Sequence, residues 1–526
     1  MSGLTPSGSK IAQAIDGAES IYNPSQAATG AAAKPITREA GKPARAKKER
    51  RPRQKDGIVA LTDGCKFWVD DRQKAYSAMK IKGIWQNWPV RSEFFKIWLT
   101  GEAYEKNGFA PSGQVLDESL RTIEAMANRR GERRSAWLRY GQRGNTIYLD
   151  LANDTWEAVE INFTIKPHGW RIISGEGLPF IRSARTREMV RPEPDGNLAD
   201  LSAFFNFAGP LDEKMTIGWL LAAARPKGPY PLCSLSGEQG TGKSTFSRRL
   251  RDLIDAGTPA IQAAPKDEQD LILAAQNSHI IALDNVSHID NSTSDALCRL
   301  ATGSGFATRA LFSNGDEWLF EGCNPIVLNG IGEFAERADL ADRSFKIHLA
   351  PIADQNRLTE AELDALWAAE LPKFTGAIYT ALACALENLP STRVQNAGRM
   401  ADAEHFITAA EPALRWPSGT FSAAYRQHRR DNAETTFEAD PIAATLVKWF
   451  EHTSGTWEGS ATRLLEILTS EADSEKSHMR TWPKNANSMG TALSRAAPLL
   501  RAKGIEIHRT HSGHRTITIK RKGEQP

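Results

Sequence analysis

The spacing of apolar positions changes several times along the chain, and each change predicts a different kind of element. In "SEFFKIWLTGEAYEKNG" and "DESLRTIEAMANRRGERR" apolar side chains recur at helical intervals. "NTIYLDL", "AVEINFTI" and "WRIISG" instead alternate or run apolar in short bursts suited to strands. That mixture predicts a small α+β domain over 57–200, and "RPEPDGN" at 191–197 has the composition of a linker. From about 201 to 390 the apolar runs become continuous and short: "YPLCSLSG", "SHIIALDN", "NPIVLNG" and "SFKIHLA". Runs of this kind suit parallel strands covered on both faces, with helices between them. A helical stretch follows to about 435, punctuated by Pro372 and Pro390. After "EADP", three helical segments ("PIAATLVKWF", "SATRLLEILTS" and "NSMGTALSRAAPLLRAKG") lead into "IEIHRTHSGHRTITIKRK", two alternating strands around a "HSGH" turn. Three helices and a β-wing predict a winged helix over 436–526, a fold that offers one helix to the major groove and its wing to the backbone.

Composition narrows this picture. The chain has 526 residues, 40% hydrophobic and 25% charged, as in a globular protein of about three domains. Its net charge of +3 is too small for a global electrostatic case for nucleic acid, so any such case is local. Residues 1–56, rich in Ala, Gly, Ser, Pro and charge and ending in "KPARAKKERRPRQK", are expected to be a disordered basic tail. That basic run has the chemistry to touch phosphates, and a solvated tail accounts for it as well. Five scattered cysteines, without metal-type spacing, fit a reducing cytosol. With no apolar signal core and no run long enough to span a bilayer, a cytoplasmic protein without a membrane partner is expected.

One stretch carries specific chemistry. "PLCSLSGEQGTGKSTFSRRL", from Pro231 to Leu250, contains two overlapping nucleotide signatures. "LSGEQ" imitates the signature peptide of ABC ATPases, but that peptide belongs to a separate helical domain well after the nucleotide loop, and here strand and loop consume it. "GEQGTGKS" instead has the strand–loop–helix context of a P-loop, whose glycines let backbone N–H groups turn inward on phosphate. Gly237, Glu238, Gln239, Gly240, Thr241, Gly242, Lys243, Ser244 and Thr245 are therefore the expected ATP-binding residues, Lys243 reaching the β- and γ-phosphates. Ser244 and Asp284, which ends the strand of "NSHIIALDN", are the expected Mg2+ ligands. The alternative for Asp284 is a carboxylate capping the next turn. Asn285 stands where AAA+ proteins commonly place a glutamate; it can hold a water but cannot take its proton, a task for which Asp290 is a candidate. Asn329, ending "NPIVLNGI", has the place of a residue bridging water and γ-phosphate. In "AERADLADRSFKIHLA", Arg337 and Arg343 are candidate arginine fingers or partners of their adjoining acids, and Arg399 heads a helical lid as a candidate sensor arginine. The expected fold class is α/β: a P-loop AAA+ core with helical lid over 201–435, between the α+β domain and the winged helix.

Together, "GEQGTGKST", "ALDNVS", "SDALCRLATGSGFATRALFSNGDEWLF", "PIVLNGI", "ADLADRS" and "GRMADAEHF" resemble ATP-binding proteins of bacteriophages and integrative elements. Their AAA+ core is akin to superfamily-three helicases and poxvirus-type primase-helicases, and the resemblance covers about 120–526. It implies a ring homo-oligomer, a hexamer, acting on DNA beside other replication proteins. It also implies a β-hairpin in "ATRALFSNGDEWLFEG", with Arg309 and the tip facing the pore. The tip carries Asp316 and Glu317 rather than a lysine, an acidic end that repels phosphate.

In the C-terminal module Arg495, Arg501, Lys503, Arg509, Arg515, Lys520, Arg521 and Lys522 occur almost without acid. Arg501, Lys503, Arg509, Arg515 and Lys520, with Arg309, are the expected DNA contacts; a protein-docking wing is the alternative. His508, His511 and His514 sit in the wing with no cysteine or carboxylate partner beside them, which argues against zinc. Three functions remain open: an ATP-driven DNA motor, an ATP-switched DNA-binding initiator, and a nucleotide-locked scaffold in which Asn285 marks lost hydrolysis. Primase activity lacks a set of paired carboxylates in 57–200.

Overall fold

The computed structural model describes residues 54–522 except 287–288, 310–316, 331–337, 354, 356, 454, 474–476, 480–481 and 511–515. The N-terminal tail, the hairpin tip with Asp316, Arg337, Arg515, His511 and His514 lie outside the described residues.

The first unit of structure is small. Helix α1 (Gln54–Ala60) precedes strands β1 (Lys66–Val69), β2 (Ala75–Ile81) and β3 (Ile84–Pro89), helices α2 (Glu93–Asn107) and α3 (Gly113–Arg130), and the short β4 (Glu132–Arg133). The sheet order is β3-β2-β1-β4, antiparallel except for β1 with β4. Lys82 and Gly83, both at positive φ (49° and 87°), make the tight β2–β3 turn. Ser92 and Ser112 cap α2 and α3 by accepting backbone N–H bonds from Phe95 and Val115. Val69, Met79, Phe95, Leu99, Leu120 and Ile123 form the core between the helices and the sheet.

A second sheet comes next: β5 (Tyr140–Arg143), β6 (Thr146–Asp150), β7 (Glu157–Ile161) and β8 (Trp170–Ser174), an antiparallel meander. Its inward residues Tyr140, Ile147, Leu149, Val159 and Ile161 share one hydrophobic cluster with the parallel-sheet region. The stretch 57–200 thus contains two sheets, and the second shares its core with the parallel sheet. "RPEPDGN" is packed rather than loose: the Glu193 N–H donates to the Pro372 carbonyl at 2.8 Å. A Cβ at Gly376 would meet the Glu193 carbonyl oxygen at 1.8 Å, so only glycine admits this approach.

The central region runs α4 (Pro210–Ala223), β9 (Leu232–Ser236), α5 (Lys243–Ile254), β10 (Gln262–Ala263), α6 (Glu268–Asn277), β11 (Ile281–Asp284) and α7 (Asn291–Thr302). The hairpin β12 (Phe306–Arg309) and β13 (Glu317–Phe320) comes next, then β14 (Ile326–Asn329), α8 (Ala338–Asp342) and β15 (Ser344–His348). The expected parallel sheet is present, in the order β10-β11-β14-β9-β15. Strands β9, β11, β14 and β15 are buried on both faces because α4, buried all round from Met215 to Ala223, covers one side and α6 with α7 the other, while the edge strand β10 is partly exposed. At the foot of the hairpin, Arg72 from the β1–β2 turn lies 4.9 Å over the Phe320 ring, and its Nη2 donates to the Glu321 carbonyl at 2.8 Å. Helices α9 (Glu360–Asn388), α10 (Ala401–Ala410) and α11 (Thr420–Ala439) complete this region. Pro372 does not punctuate α9, which runs continuously through it.

The C-terminal region comprises α12 (Pro441–Glu451), β16 (Trp457–Gly459), α13 (Ala461–Glu471), α14 (Ala486–Ala502), β17 (Ile505–Thr510) and β18 (Thr516–Arg521). The predicted strand pair is joined by a third strand in the order β16-β18-β17, all antiparallel. Leu446, Phe450, Leu464, Leu468, Met489, Leu493, Leu500 and Ile519 close its own core. Asp440 starts α12, Oδ1 accepting the N–H groups of Ile442 and Ala443 at 3.0 and 2.9 Å.

Candidate nucleotide site

Strand β9 ends at Ser236 and α5 begins at Lys243, so six residues make the turn between them. Gly240 and Gly242 hold φ of 80° and 83°, where a Cβ is strained, and Gly242 is the residue from which α5 starts. Thr241 is buried and its hydroxyl donates to the Glu238 carbonyl at 3.0 Å, holding the turn. The Lys243 ammonium donates to the carbonyls of Gly237 and Glu238 at 2.8 and 2.7 Å. Desolvation lowers the Lys243 pKa, with the Asp284 carboxylate opposing the shift. A helix N-terminus, a tight glycine turn and an ammonium group in one place are an arrangement that can hold an anion.

The carboxylate comes from the neighbouring strands. The Ser244 hydroxyl donates to Asp284 at 3.0 Å to Oδ1 and 3.3 Å to Oδ2, joining the first turn of α5 to the end of β11. A hydroxyl and a carboxylate beside a phosphate-type cradle are hard oxygen donors, so this pair fits Mg2+ shared with a phosphate. Among the described residues no group of three or more His, Cys, Asp or Glu side chains is placed to hold a metal alone.

Asn285 comes next at φ 54°, a left-handed conformation that asparagine adopts more readily than most residues. Its N–H donates to Asp284 Oδ1 at 3.0 Å and to Asn329 Oδ1 at 3.1 Å, while its side chain is exposed. Asn329, at 2% exposure, uses its other amide atom to donate to Ser247 Oγ at 3.0 Å. Both ends of the Asn329 side chain are therefore engaged in tying β14, β11 and α5 together. Asp290 is the N-cap of α7, accepting the Thr293 N–H at 2.7 Å.

Arg357 is signalled by no motif. Its guanidinium nitrogens lie 3.7 and 3.9 Å from where a Cβ of Gly240 would be, in the chain segment after β15. The same segment brings Leu349 against Gly237 and Ile352 against Gly242, so it lines the turn on one side. Only its place shortly after a strand of the parallel sheet could have pointed to it.

Arg343 and Arg399 are brought to each other and not to Lys243. Ser344 is level with Leu232 and His348 with Ser236, so Arg343 sits at the amino ends of the strands. Six residues of extended chain, about 20 Å, separate it from the level of Gly237, where the glycine turn begins. Arg343 ion-pairs with Asp339, and Arg399 Nη1 lies 3.0 Å from Asp339 and 3.3 Å from Asp342. The adjoining-acid alternative is what the isolated chain displays for Arg343.

The basic residues of the C-terminal region divide. Lys503 is bound to Glu434 at 2.6 Å, Arg495 to Asp440 at 3.1 Å, and Arg509 donates to Ser494 Oγ and the Gly490 carbonyl at 3.0 and 2.6 Å. Arg501, Lys520, Arg521 and Lys522 form no ion pair among the described residues, and Arg501 is exposed on α14. Arg309 is level with Glu317 in the hairpin ladder. His508 lies 3.5 Å from Glu506 on its own strand.

Among the described residues no helix is long and apolar enough to cross a membrane. No curated protein matches the chain. Among solved structures, the A-form apo structure of the NrS-1 C terminal region matches at 13% identity and a TM-score of 0.37, covering 88% of this chain and 98% of that one. A second apo structure of that region gives 12% identity, the same coverage and a TM-score of 0.38. A structure of JCV Helicase with a bound acetamide compound matches at 14% identity over 43% of this chain and 68% of that one, with a TM-score of 0.21. A family model described as actinomycete integrative conjugative element replication protein matches residues 198–431, and the model of the AICE RepA C-terminal domain matches 442–526. The two run consecutively and together span more than half of the sequence, and so the chain belongs to the family of actinomycete integrative conjugative element replication proteins.

Proposed function

We propose that the protein is an ATP-dependent DNA motor of its mobile element, a P-loop AAA+ ATPase with a winged-helix tail that works as a ring homo-oligomer. The observation that carries this reading is the convergence of Lys243, Ser244 and Asp284, from a helix start and a strand end, at one glycine turn. In this reading the turn's N–H groups face the triphosphate, and Lys243 exchanges the carbonyls of Gly237 and Glu238 for phosphate oxygens. Ser244 and Asp284 would hold Mg2+, which neutralises charge on the phosphates when bound. Asn285 and Asn329 position the end of β11, and the exposed Asn285 amide can orient a water. Arg343 and Arg399, at the far end of the strands, serve a nucleotide held by the next subunit. DNA is met by Arg501, Lys520, Arg521 and Lys522; Lys503 and Arg509 are otherwise engaged and stiffen the tail.

A second reading, an ATP-switched initiator that remodels DNA without translocating, is favoured by Asn285, which cannot accept a proton. The two separate in one experiment. Phosphate release and strand displacement, measured with single- and double-stranded DNA, are expected of the wild type and absent from Lys243→Ala. ATP-dependent protection of DNA without displacement selects the initiator, and ATP binding with neither phosphate release nor ATP-dependent DNA protection sinks both.

A further inference from the structure

Helix α2 is apolar on two opposite sides. Its inward residues Phe95, Leu99 and Ala103 are fully buried in the core of the first sheet. On the outward side Phe94, Ile97 and Tyr104 are 39%, 66% and 62% exposed, and Phe109, just past the helix, is 43% exposed. These four are half of the eight large apolar side chains left exposed among the described residues, so the open apolar surface is concentrated on this element.

Phe94, Ile97, Gly101 and Tyr104 follow one another at intervals of three, four and three residues, the spacing of a seam along which two helices pack. Gly101 is the odd member. Glycine is a poor helix former, and a Cβ at this position in the body of α2 would meet nothing within 4 Å. Gly108 differs, because its φ of 75° at the helix end favours glycine. No contact inside the chain calls for glycine at 101, whereas a second helix laid on this face would find a recess there for one of its side chains. Phe94 is already held for such a contact, stacked on Trp88 with ring centroids 3.9 Å apart, so covering it costs little further ordering.

The seam is complementary to itself. Run antiparallel against a copy, it sets Ile97 into the recess at the partner's Gly101 and Phe94 beside the partner's Tyr104. Parallel pairing would set glycine against glycine and leave a void in the middle layer. With 200 Å² or so for a fully open large side chain, the pair would cover about 300–400 Å² on each copy, the size of a weak, reversible contact. We propose that α2 is a docking surface for α2 of a second copy, the two helices antiparallel and in closest approach at Ile97 and Gly101. A two-fold contact of this kind joins chains in twos and cannot close a ring, and it includes no part of the nucleotide turn. It therefore goes beyond the ring proposed above and forms without nucleotide.

The test is sedimentation velocity of the full chain, free of nucleotide, over a range of concentrations. The wild-type mass is expected to rise from one chain toward two, and Ile97→Asp and Gly101→Leu to weaken that pairing by roughly tenfold or more. Gly101→Leu fills the recess while supplying a better helix former, so its thermal unfolding should match the wild type or exceed it, which separates lost pairing from lost folding. In a second measurement Ile97→Cys and Gly101→Cys proteins are mixed and treated with a short bifunctional thiol reagent. The mixture should couple several-fold faster than either variant alone, with the background from the five native cysteines read from the wild type. A wild type that stays a single chain at every concentration, or pairs only when ATP is added, overturns the proposal without touching the nucleotide site. Undiminished pairing of Gly101→Leu overturns the recess at Gly101, and coupling no faster in the mixture than in Ile97→Cys alone overturns the antiparallel arrangement.

Discussion

Asp255, at the end of α5, offers a sharp test of how the second sheet is fastened to the parallel sheet. Its Oδ1 accepts from Arg139 Nε at 2.9 Å, and its Oδ2 accepts the N–H groups of His279 and Ile280 at 2.9 and 3.0 Å. Arg139 is 1% exposed and spends its remaining donors on the carbonyls of Asp150, Arg187 and Ala256. Burial alone raises a carboxyl pKa, yet the charges of Arg139 and Arg251 outweigh it and hold Asp255 below the usual range. Asp255→Ala removes the carboxylate that ion-pairs with a buried guanidinium and strands two backbone donors. Breaking a buried pair from one side costs about 3–5 kcal/mol, and the stranded amides push toward the upper figure. At about 2 °C per kcal/mol for a large cooperative unit, the unfolding transition should fall by roughly 6–10 °C. Calorimetry of Asp255→Ala, Arg139→Met and the double variant supplies the coupling. The double variant should be less damaged than the sum of the two, because no lone charge remains. A shift below about 2 °C for Asp255→Ala, or strict additivity, refutes the reasoning.

Asn285→Gly should fold and bind nucleotide normally, whereas Asn285→Val, forced to a φ of 54°, should lose about 1–2 kcal/mol in denaturant titration; equal behaviour of the two would remove the backbone argument. Burial pushes His428 down to about 4, with its Nε2 2.9 Å from the Lys346 N–H. The unfolded chain, with an ordinary histidine, takes up the proton first, so stability is full above about pH 6.5 and declines as pH falls toward 4, by about 3 kcal/mol in all. His428→Gln should flatten that part of the pH–stability curve, and an unchanged slope would exclude His428 as its source. Chelation with EDTA should weaken ATP binding by the wild type, and Ser244→Ala should lessen that metal dependence; titration calorimetry with and without Mg2+ reads both.

The parts of the site that were legible in sequence are those whose geometry is local. Six residues between a strand and a helix fix where Lys243 and Ser244 stand, and an aspartate at a strand end points to its place beside them. What escaped depends on contacts between distant segments. Glu434 is invisible to anyone counting Lys503 as a free charge, and Arg429 carries no motif, because only the packing of α11 brings it to Asp342. The alternation in "NTIYLDL" identifies β6 but cannot say that Ile147 and Leu149 join the cluster around α4. Short pieces such as β16 and β10 offer too few residues for any period to register.

The clasp of Arg72 on the foot of the β12–β13 hairpin has a mechanical corollary. A lever can swing only against something that holds its root, and here the root is gripped by the turn of a separate sheet. Any tilt of the hairpin would either carry β1 and β2 with it or unfasten that grip, so the first sheet would then act as ballast to it rather than as a bystander.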